Sequence, residues 1–182
     1  NTFKLDIPDQ GFIGATFGFT GSGYENGSTA YSATPTATSV AQKASNITVG
    51  DIKINGSSLK GAACATAFSF ELNNNIDSAP CLGGGLYPQN LLEMMADITG
   101  SMTLEYSTVA QGYLNNQITG TPIAIEATIN TPDGSSYVLT VPKAQISGSL
   151  PTGGKDRTRA ELSYTVIADV PADAPFITRT LK

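Results

Sequence analysis

The chain has 182 residues, a formal net charge of -5, no histidine, and charged residues at only 14% of its positions. The absence of histidine removes the commonest general base and metal ligand, and it excludes a Ser-His-Asp triad. Because no basic patch is present to neutralise phosphates, the acidic balance disfavours specific nucleic-acid binding. No apolar run approaches the roughly 20 residues that a membrane span requires.

Apolar and polar residues alternate with a period of two along most of the chain, which predicts a mainly β protein. The first such run contains Phe3, Leu5 and Ile7. A second run covers 47–54, where the alternation is interrupted around Gly50. This interruption predicts a bend or a β-bulge.

Two short motifs predict tight turns between strands. Asn55-Gly56 and Pro132-Asp133-Gly134 contain residues that tolerate positive φ or favour turns. The second motif lies between alternating runs at 122–130 and 135–142, so we predict a β-hairpin there.

The clearest predicted strand covers 97–106, and another covers 66–72. In the clearest strand the apolar positions alternate with a set of polar ones. We predict that this polar set faces away from the core; its members are Asp97, Thr99, Ser101, Thr103 and Glu105.

Helix is scarce in the sequence. The best candidate runs from 107 to 116, because Ser107 can cap it and apolar residues recur four apart, although Gly112 weakens it. Residues 90–96 contain good helix formers but lead directly into the strand that follows, so their state is left open between helix and strand.

The length suits one domain over 1–182. We divide it into N-terminal strands and a polar loop (1–46), a core β-sandwich (47–170) and an extended C-terminal arm (171–182). Because the chain begins at Asn1 and not at methionine, we expect it to be processed, trimmed or a fragment of a longer protein.

Few residue groups have the composition of a reactive or ligand-binding site. The spacing Asn73-x-Asn75-x-Asp77 loosely resembles a calcium loop, but the required glycine and twelfth-position acid are missing, so a polar turn is the better interpretation. Glu105 and Glu126 are predicted to lie on adjacent strands, and two solvated carboxylates are favoured over a catalytic pair. Cys64 and Cys81 are either a disulfide or two reduced thiols.

Several short motifs follow one another along the chain. In order, they are FSFELNNNI, the turn CLGGG, DITGSMTLEYS, a short helix candidate, PIAIEATINTPDGSSYVLTVPKAQISG and AELSYTVIADV. This order resembles that of the tail tube (major tail) proteins of long-tailed bacteriophages. The early stretch IPDQGFIGATFGFTGSG is also similar to segments of that family. The matching residues are Phe70, Leu72, Asn73, Asn74, Thr99, Gly100, Ser101, Val141, Pro142 and Lys143.

The resemblance implies a β-sandwich or barrel-like subunit with one short flanking helix and extended loops or arms. It implies stacked rings that form a hollow tube, no catalytic residue, no cofactor and no metal. The implied partners are copies of the chain itself and other tail proteins at the tube ends. DNA would pass through the lumen without specific binding, no membrane would be involved, and the virion tail would be assembled in the host bacterial cytoplasm.

Within such a tube, the polar positions of the 97–106 strand are candidates for the lumen surface, and contact with a neighbouring subunit is the alternative. The loops 20–46 and 147–158 and the arm 171–182 are candidates for contacts between subunits. Three basic residues could meet acids on a neighbour: Lys155, Arg157 and Arg159.

Two other classes compete with this interpretation. An extracellular β-sandwich, either a pilus-like subunit or a carbohydrate-binding module, fits the amide-rich loops. However, a sugar binder usually exposes aromatic side chains, and this chain has no tryptophan. An enzyme is disfavoured because no nucleophile, base and oxyanion donor occur in a recognisable arrangement.

Overall fold

The structure is a computed structural model that describes residues 1–21, 23, 27, 34, 43–79, 82, 90–149, 151 and 158–181. The first strands are β1 (Thr2–Ile7), β2 (Gly14–Gly18), β3 (Val49–Ile54), β4 (Ser57–Ser58), β5 (Ala65–Asn73) and β6 (Ile76–Ala79). They are followed by β7 (Asn90–Glu93), β8 (Asp97–Glu105), the helix α1 (Thr108–Thr119), β9 (Ile123–Asn130), β10 (Ser136–Gly148), β11 (Arg159–Val166) and β12 (Phe176–Thr180). The predicted mainly β fold with one helix is confirmed.

One large antiparallel sheet contains most of these strands. Its order is β2-β1-β5-β8-β11-β10-β9-β3-β4, and β12 also pairs with β10. Over the described residues the sheet does not close into a barrel. Strands β6 and β7 form a separate two-stranded hairpin. The fold is therefore sandwich-like, with two halves of one curved sheet packed against each other.

Strand β10 joins the two halves. Its first part pairs with β9 and, on the other side, with β12, whereas residues 144–148 pair with β11. The register with β9 shifts between Val141 and Ala144, around Pro142. Proline cannot donate a ladder hydrogen bond, so it fits such an irregular position. The shift lets one 13-residue strand belong to both halves.

The core lies between the two halves and comes from the apolar positions of the alternating strands. The largest side chains that are almost fully buried are Tyr164, Phe68, Ile54, Leu59, Met102, Leu104, Ile123, Ile125, Leu162 and Val141. Their alternation along β5, β8, β9 and β11 is the pattern from which these strands are predicted.

Helix α1 packs on β10 through Ala110 and Leu114, both of which are buried. The Ser107 hydroxyl caps it by accepting a hydrogen bond from the amide of Ala110 at 3.2 Å. The helix continues three residues beyond the predicted end and stops at Gly120, which has a φ of 67°. Glycine takes this left-handed conformation without a steric penalty, so it ends the helix.

Several local predictions are confirmed. The register between β3 and β9 shifts at the predicted bulge around Gly50. The Asn55-Gly56 turn has positive φ at both residues, and β9 and β10 form the predicted hairpin. Residues 90–93, left open between helix and strand, form β7.

The expectation that Glu105 and Glu126 lie on adjacent strands is wrong. Glu105 lies on β8 and Glu126 on β9, and the sheet order places β11 and β10 between these strands. The expectation assumed that strands consecutive in the sequence pair, but helix α1 separates β8 from β9. A catalytic pair of these two residues has no structural support.

The C-terminal arm is largely part of the sheet. After a short 3-10 turn at Pro171–Asp173, Phe176–Thr180 pairs with the first part of β10. Cys64 is an exposed free thiol, and Cys81 lies outside the described residues.

The turn between β9 and β10 contains a carboxylate whose protonation should affect stability. The Thr131 hydroxyl and the Ser135 amide both donate hydrogen bonds to Asp133 Oδ1, and these bonds lower the pKa of Asp133 below the ordinary value of an aspartate. Because the pKa of Asp133 is lower in the folded chain than in the unfolded chain, the ionised carboxylate stabilises the fold. This contribution is fully present above the unfolded pKa and is lost as the pH falls through the folded pKa.

We therefore expect Asp133→Asn to unfold at lower urea concentration than the parent chain near neutral pH. The difference in the free energy of unfolding should shrink as the pH falls below about 4, where the carboxylate of the unfolded parent chain takes up a proton, and it should be smallest below the lowered folded pKa. Urea unfolding at about pH 7 and about pH 2.5 measures both differences. Equal differences at the two pH values would contradict this account of the turn.

Candidate functional surfaces

The face of the sheet opposite the core is the first candidate surface. It is formed by β1, β5, β8, β11 and the end of β10, which are neighbours in the sheet. Because successive side chains alternate between faces, the residues between the buried ones all point to this side. We call it the polar face.

Short hydroxyl side chains cross the polar face in a row. Registered pairs place Asp6, Ser69, Ser101, Ser163 and Ser147 side by side on five successive strands. The hydroxyls of Ser69 and Ser101 are 2.8 Å apart and hydrogen-bonded. The next row contains Lys4, Glu71, Thr99, Thr165 and Gln145. Most of these side chains are short and polar, so the surface has few projections.

The five polar positions predicted on the clearest strand lie on β8. Asp97, Thr99 and Ser101 are exposed, and Thr103 and Glu105 are half-buried. The intervening Met102 and Leu104 are in the core. The structure therefore places this set on the polar face and outside the core of the subunit.

Acidic groups outnumber basic ones on the polar face. The acidic residues are Asp6, Glu71, Asp97, Glu105 and Glu161, and the basic ones are Lys4 and Arg159. Arg159 forms an ion pair with Asp9 of the same chain at 3.3 Å, which offsets part of its charge. A surface of this composition repels phosphate groups and offers hydroxyls that water can solvate.

A part-buried hydrogen bond joins strands β11 and β5. The Tyr164 ring lies against Gly100 of β8, and its hydroxyl donates a hydrogen bond to the carbonyl oxygen of Ser69 on β5 at 2.7 Å. Burial raises the pKa of Tyr164, so the phenol stays protonated and keeps donating. This contact fixes β5, β8 and β11 relative to one another.

Comparison with protein-family models gives a match to the phage tail tube protein family over residues 1–168 of the chain. The chain belongs to the phage tail tube protein family. A search of curated proteins found no match. The family is that of a structural virion protein, which implies a non-enzymatic role and a place in the virion tail. Family membership therefore favours the tail subunit over the extracellular β-sandwich.

The remaining predicted contact residues of this tail tube protein are only partly placed. Lys155 and Arg157 lie outside the described residues. Arg159 begins β11 and already pairs with Asp9 within its own chain.

Among the described residues, no helix has the length and apolar character needed to cross a membrane.

The asparagines at the end of β5 form hydrogen bonds with each other and with the segment that leads into β8. The Asn75 side-chain amide donates to Asp97 Oδ2 at 2.7 Å and to the carbonyl of Met95 at 3.0 Å, and Asn73 Oδ1 accepts from the Asn75 amide at 3.1 Å. Asn75 has a φ of 41°, which suits a turn. This arrangement is the polar turn that the sequence favours over a calcium loop.

A second surface of this tail tube protein was missed in the sequence. It is an apolar groove of about 370 Å³ between the two halves of the sheet. We call it the apolar groove; its lining residues are Phe3, Leu5, Ala15, Phe17, Ile129, Tyr137, Leu139 and Ile177. The alternation of Ala15 and Phe17 in GATFG was the signal for its outer wall. Because β2 is only five residues long, that signal was weak.

Proposed function

We propose that this tail tube protein assembles with copies of itself into rings, and that the stacked rings form the hollow tube through which the phage delivers its DNA. Family membership carries the proposal. Other tail proteins would contact the two ends of the tube, and assembly would take place in the host bacterial cytoplasm before the virion is released.

The polar face is the best candidate for the lumen. Its acidic balance would keep DNA phosphates from adhering, and its short hydroxyl side chains would leave the wall smooth and hydrated. In this arrangement Asp97, Thr99, Ser101, Thr103 and Glu105 line the channel. The segments 20–46, 147–158 and 171–182 then lie at contacts between subunits, where Lys155 and Arg157 meet acidic groups of a neighbour, while Arg159 keeps its ion pair with Asp9 of its own chain.

Assembly of the purified chain tests the proposal directly. Negative-stain microscopy and sedimentation should show rings or hollow tubes at high protein concentration. A persistent monomer under all assembly conditions would contradict the proposal.

Cysteine labelling tests the orientation of the polar face. In a background carrying Cys64→Ser and Cys81→Ser, we expect Thr99→Cys to react with both a small maleimide and a long polymer-linked maleimide in isolated subunits. In tubes, the small reagent should still react, while the polymer reagent should be slowed about tenfold or more because it must enter through the tube ends.

Two outcomes would contradict the lumen assignment. Equal rates with the polymer reagent before and after assembly would place Thr99 on the outer surface. Protection from both reagents would place it against a neighbouring subunit.

A further inference from the structure

The C-terminal strand β12 lies on the sheet without contributing to the core. It pairs along one side of the first part of β10, from Thr140↔Phe176 to Ser136↔Thr180. All five of its residues are exposed, and Phe176 and Ile177 are 52% and 50% exposed. Among the described residues β12 has no other partner strand. The strand is therefore held mainly by backbone hydrogen bonds at an edge that water reaches.

Lys143 fastens the segment that leads into β12. Its Nζ lies 2.8 Å from Asp169 Oδ2 and 3.7 Å from Asp173 Oδ2. Both aspartates belong to the connection between β11 and β12, while Lys143 lies at the register shift of β10. The side chains of Lys143 and Asp173 are only 33% and 24% exposed, so solvent screens their attraction in part. We call these three residues the lysine clamp.

The connection between β11 and β12 allows β12 to leave the sheet without disturbing the core. It contains Pro171, Pro175 and a short 3-10 turn, and it pairs with no strand. Beyond it, the guanidinium of Arg179 lies over the Tyr137 ring, with 5.5 Å between Cζ and the ring centroid. Opening of β12 would break its pairing with β10, this contact and the lysine clamp, and it would leave every buried core residue in place.

We propose that β12 is a strap that opens and closes while the rest of the subunit stays folded, and that the lysine clamp holds it shut. Segments with few buried apolar contacts and exposed backbone hydrogen bonds open at a lower free energy than the whole domain. The closed strap covers the edge of β10 at 136–140, whose backbone groups would otherwise offer a pairing template. Opening also removes Ile177 from the wall of the apolar groove. The inference concerns the isolated subunit and does not depend on the proposed self-assembly.

Hydrogen exchange of the isolated subunit near neutral pH tests the strap. After correction for intrinsic rates, the amides of β12 that bond to β10 should exchange about 100-fold or more faster than the paired amides of β5 and β8. Equal rates in the three strands would overturn the proposal, because β12 would then open only when the whole subunit unfolds. Exchange of β12 as fast as in an unfolded chain would overturn it as well, since the strap would then not close.

A matched pair of variants tests the lysine clamp. Lys143→Met removes both ion pairs and keeps most of the side chain, so it should speed exchange in β12 about three- to tenfold and leave β5 and β8 unchanged. Lys53→Met removes an ion pair with Glu126 that joins β3 to β9, and it should leave exchange in β12 unchanged. An unaltered β12 in Lys143→Met, or an equal acceleration in Lys53→Met, would show that the clamp does not hold the strap.

Salt distinguishes the charge of the clamp from the packing of its lysine stem. Raising the salt concentration from about 50 mM to about 1 M screens the ion pairs, so exchange in β12 of the parent chain should accelerate about twofold or more relative to β5 and β8. In Lys143→Met this response should be smaller, because the attraction to Asp169 and Asp173 is already absent. An equal response of the two proteins would contradict an electrostatic clamp.

Discussion

Gly100→Ala should lower the free energy of unfolding by about 3 kcal/mol and the melting temperature by roughly 10 °C. An added Cβ at this position would overlap the Ser69 carbonyl oxygen and the ring and hydroxyl of Tyr164. Neither can move aside easily, because the carbonyl belongs to a paired strand and the ring is 2% exposed. The methyl group would also disturb the hydrogen bond that the tyrosine donates to this carbonyl.

The matched control is the same substitution in the helix. At Gly112 an added Cβ meets nothing within 4 Å, and the residue lies in the interior of α1. Gly112→Ala should therefore raise the free energy of unfolding by about 0.5–1 kcal/mol. Urea unfolding followed by circular dichroism measures both variants. Similar effects of the two substitutions would show that backbone propensity, and not the close approach at Gly100, governs this position.

Phe68→Ala should lower the free energy of unfolding by about 4 kcal/mol, because it removes a large side chain and leaves a cavity. Phe68 is 1% exposed and stacks against Tyr164, with ring centroids 6.0 Å apart. It therefore joins β5 to β11 across the intervening strand β8. Its loss affects the strands that carry the polar face.

Phe19→Ala is the control for this truncation. Phe19 is 86% exposed, so removing its ring should change the free energy of unfolding by at most about 0.5 kcal/mol. Calorimetry or urea unfolding of the two variants gives the comparison. A cost for Phe68→Ala below about 1 kcal/mol would contradict the assignment of this ring to the main core.

Local patterns in the sequence predict much of the fold. The residues of β8 and β11 alternate strictly, because each strand buries one face and exposes the other. The bulge at Gly50 and the cap at Ser107 follow from short-range backbone chemistry, which needs no knowledge of distant residues. For the same reason the polar face of β8 could be predicted residue by residue.

Pairing partners depend on distant contacts and could not be predicted in this way. Glu105 and Glu126 were expected on adjacent strands, but the sheet brings β11 and β10 between them. The second strand of the predicted hairpin was expected to end at 142. It continues to Gly148, because the register shift accommodates Pro142.

The apolar groove shows the same limit. Phe17 and Ile177 come from opposite ends of the sequence and meet only in the folded chain. Each lies in a five-residue strand, where alternation is too short to identify a buried face. The groove between these strands could be recognised only once the fold had placed β1, β2 and β12 together.

The strand order also determines when the subunit can fold during synthesis. Ile52 on β3 pairs with Ala127 on β9, and β1 pairs with β5 across the long segment that separates them. Contacts between residues so far apart in sequence form slowly, since a long loop must close before the contact stabilises it. β3 can pair with the short strand β4 at once but lacks its partner β9 until the ribosome has made that strand, and the last pairing, β12 with β10, awaits the C-terminal residues. Newly made chains therefore pass through a stage with exposed apolar strands, and a host chaperone that shields them at this stage would raise the yield of competent subunits.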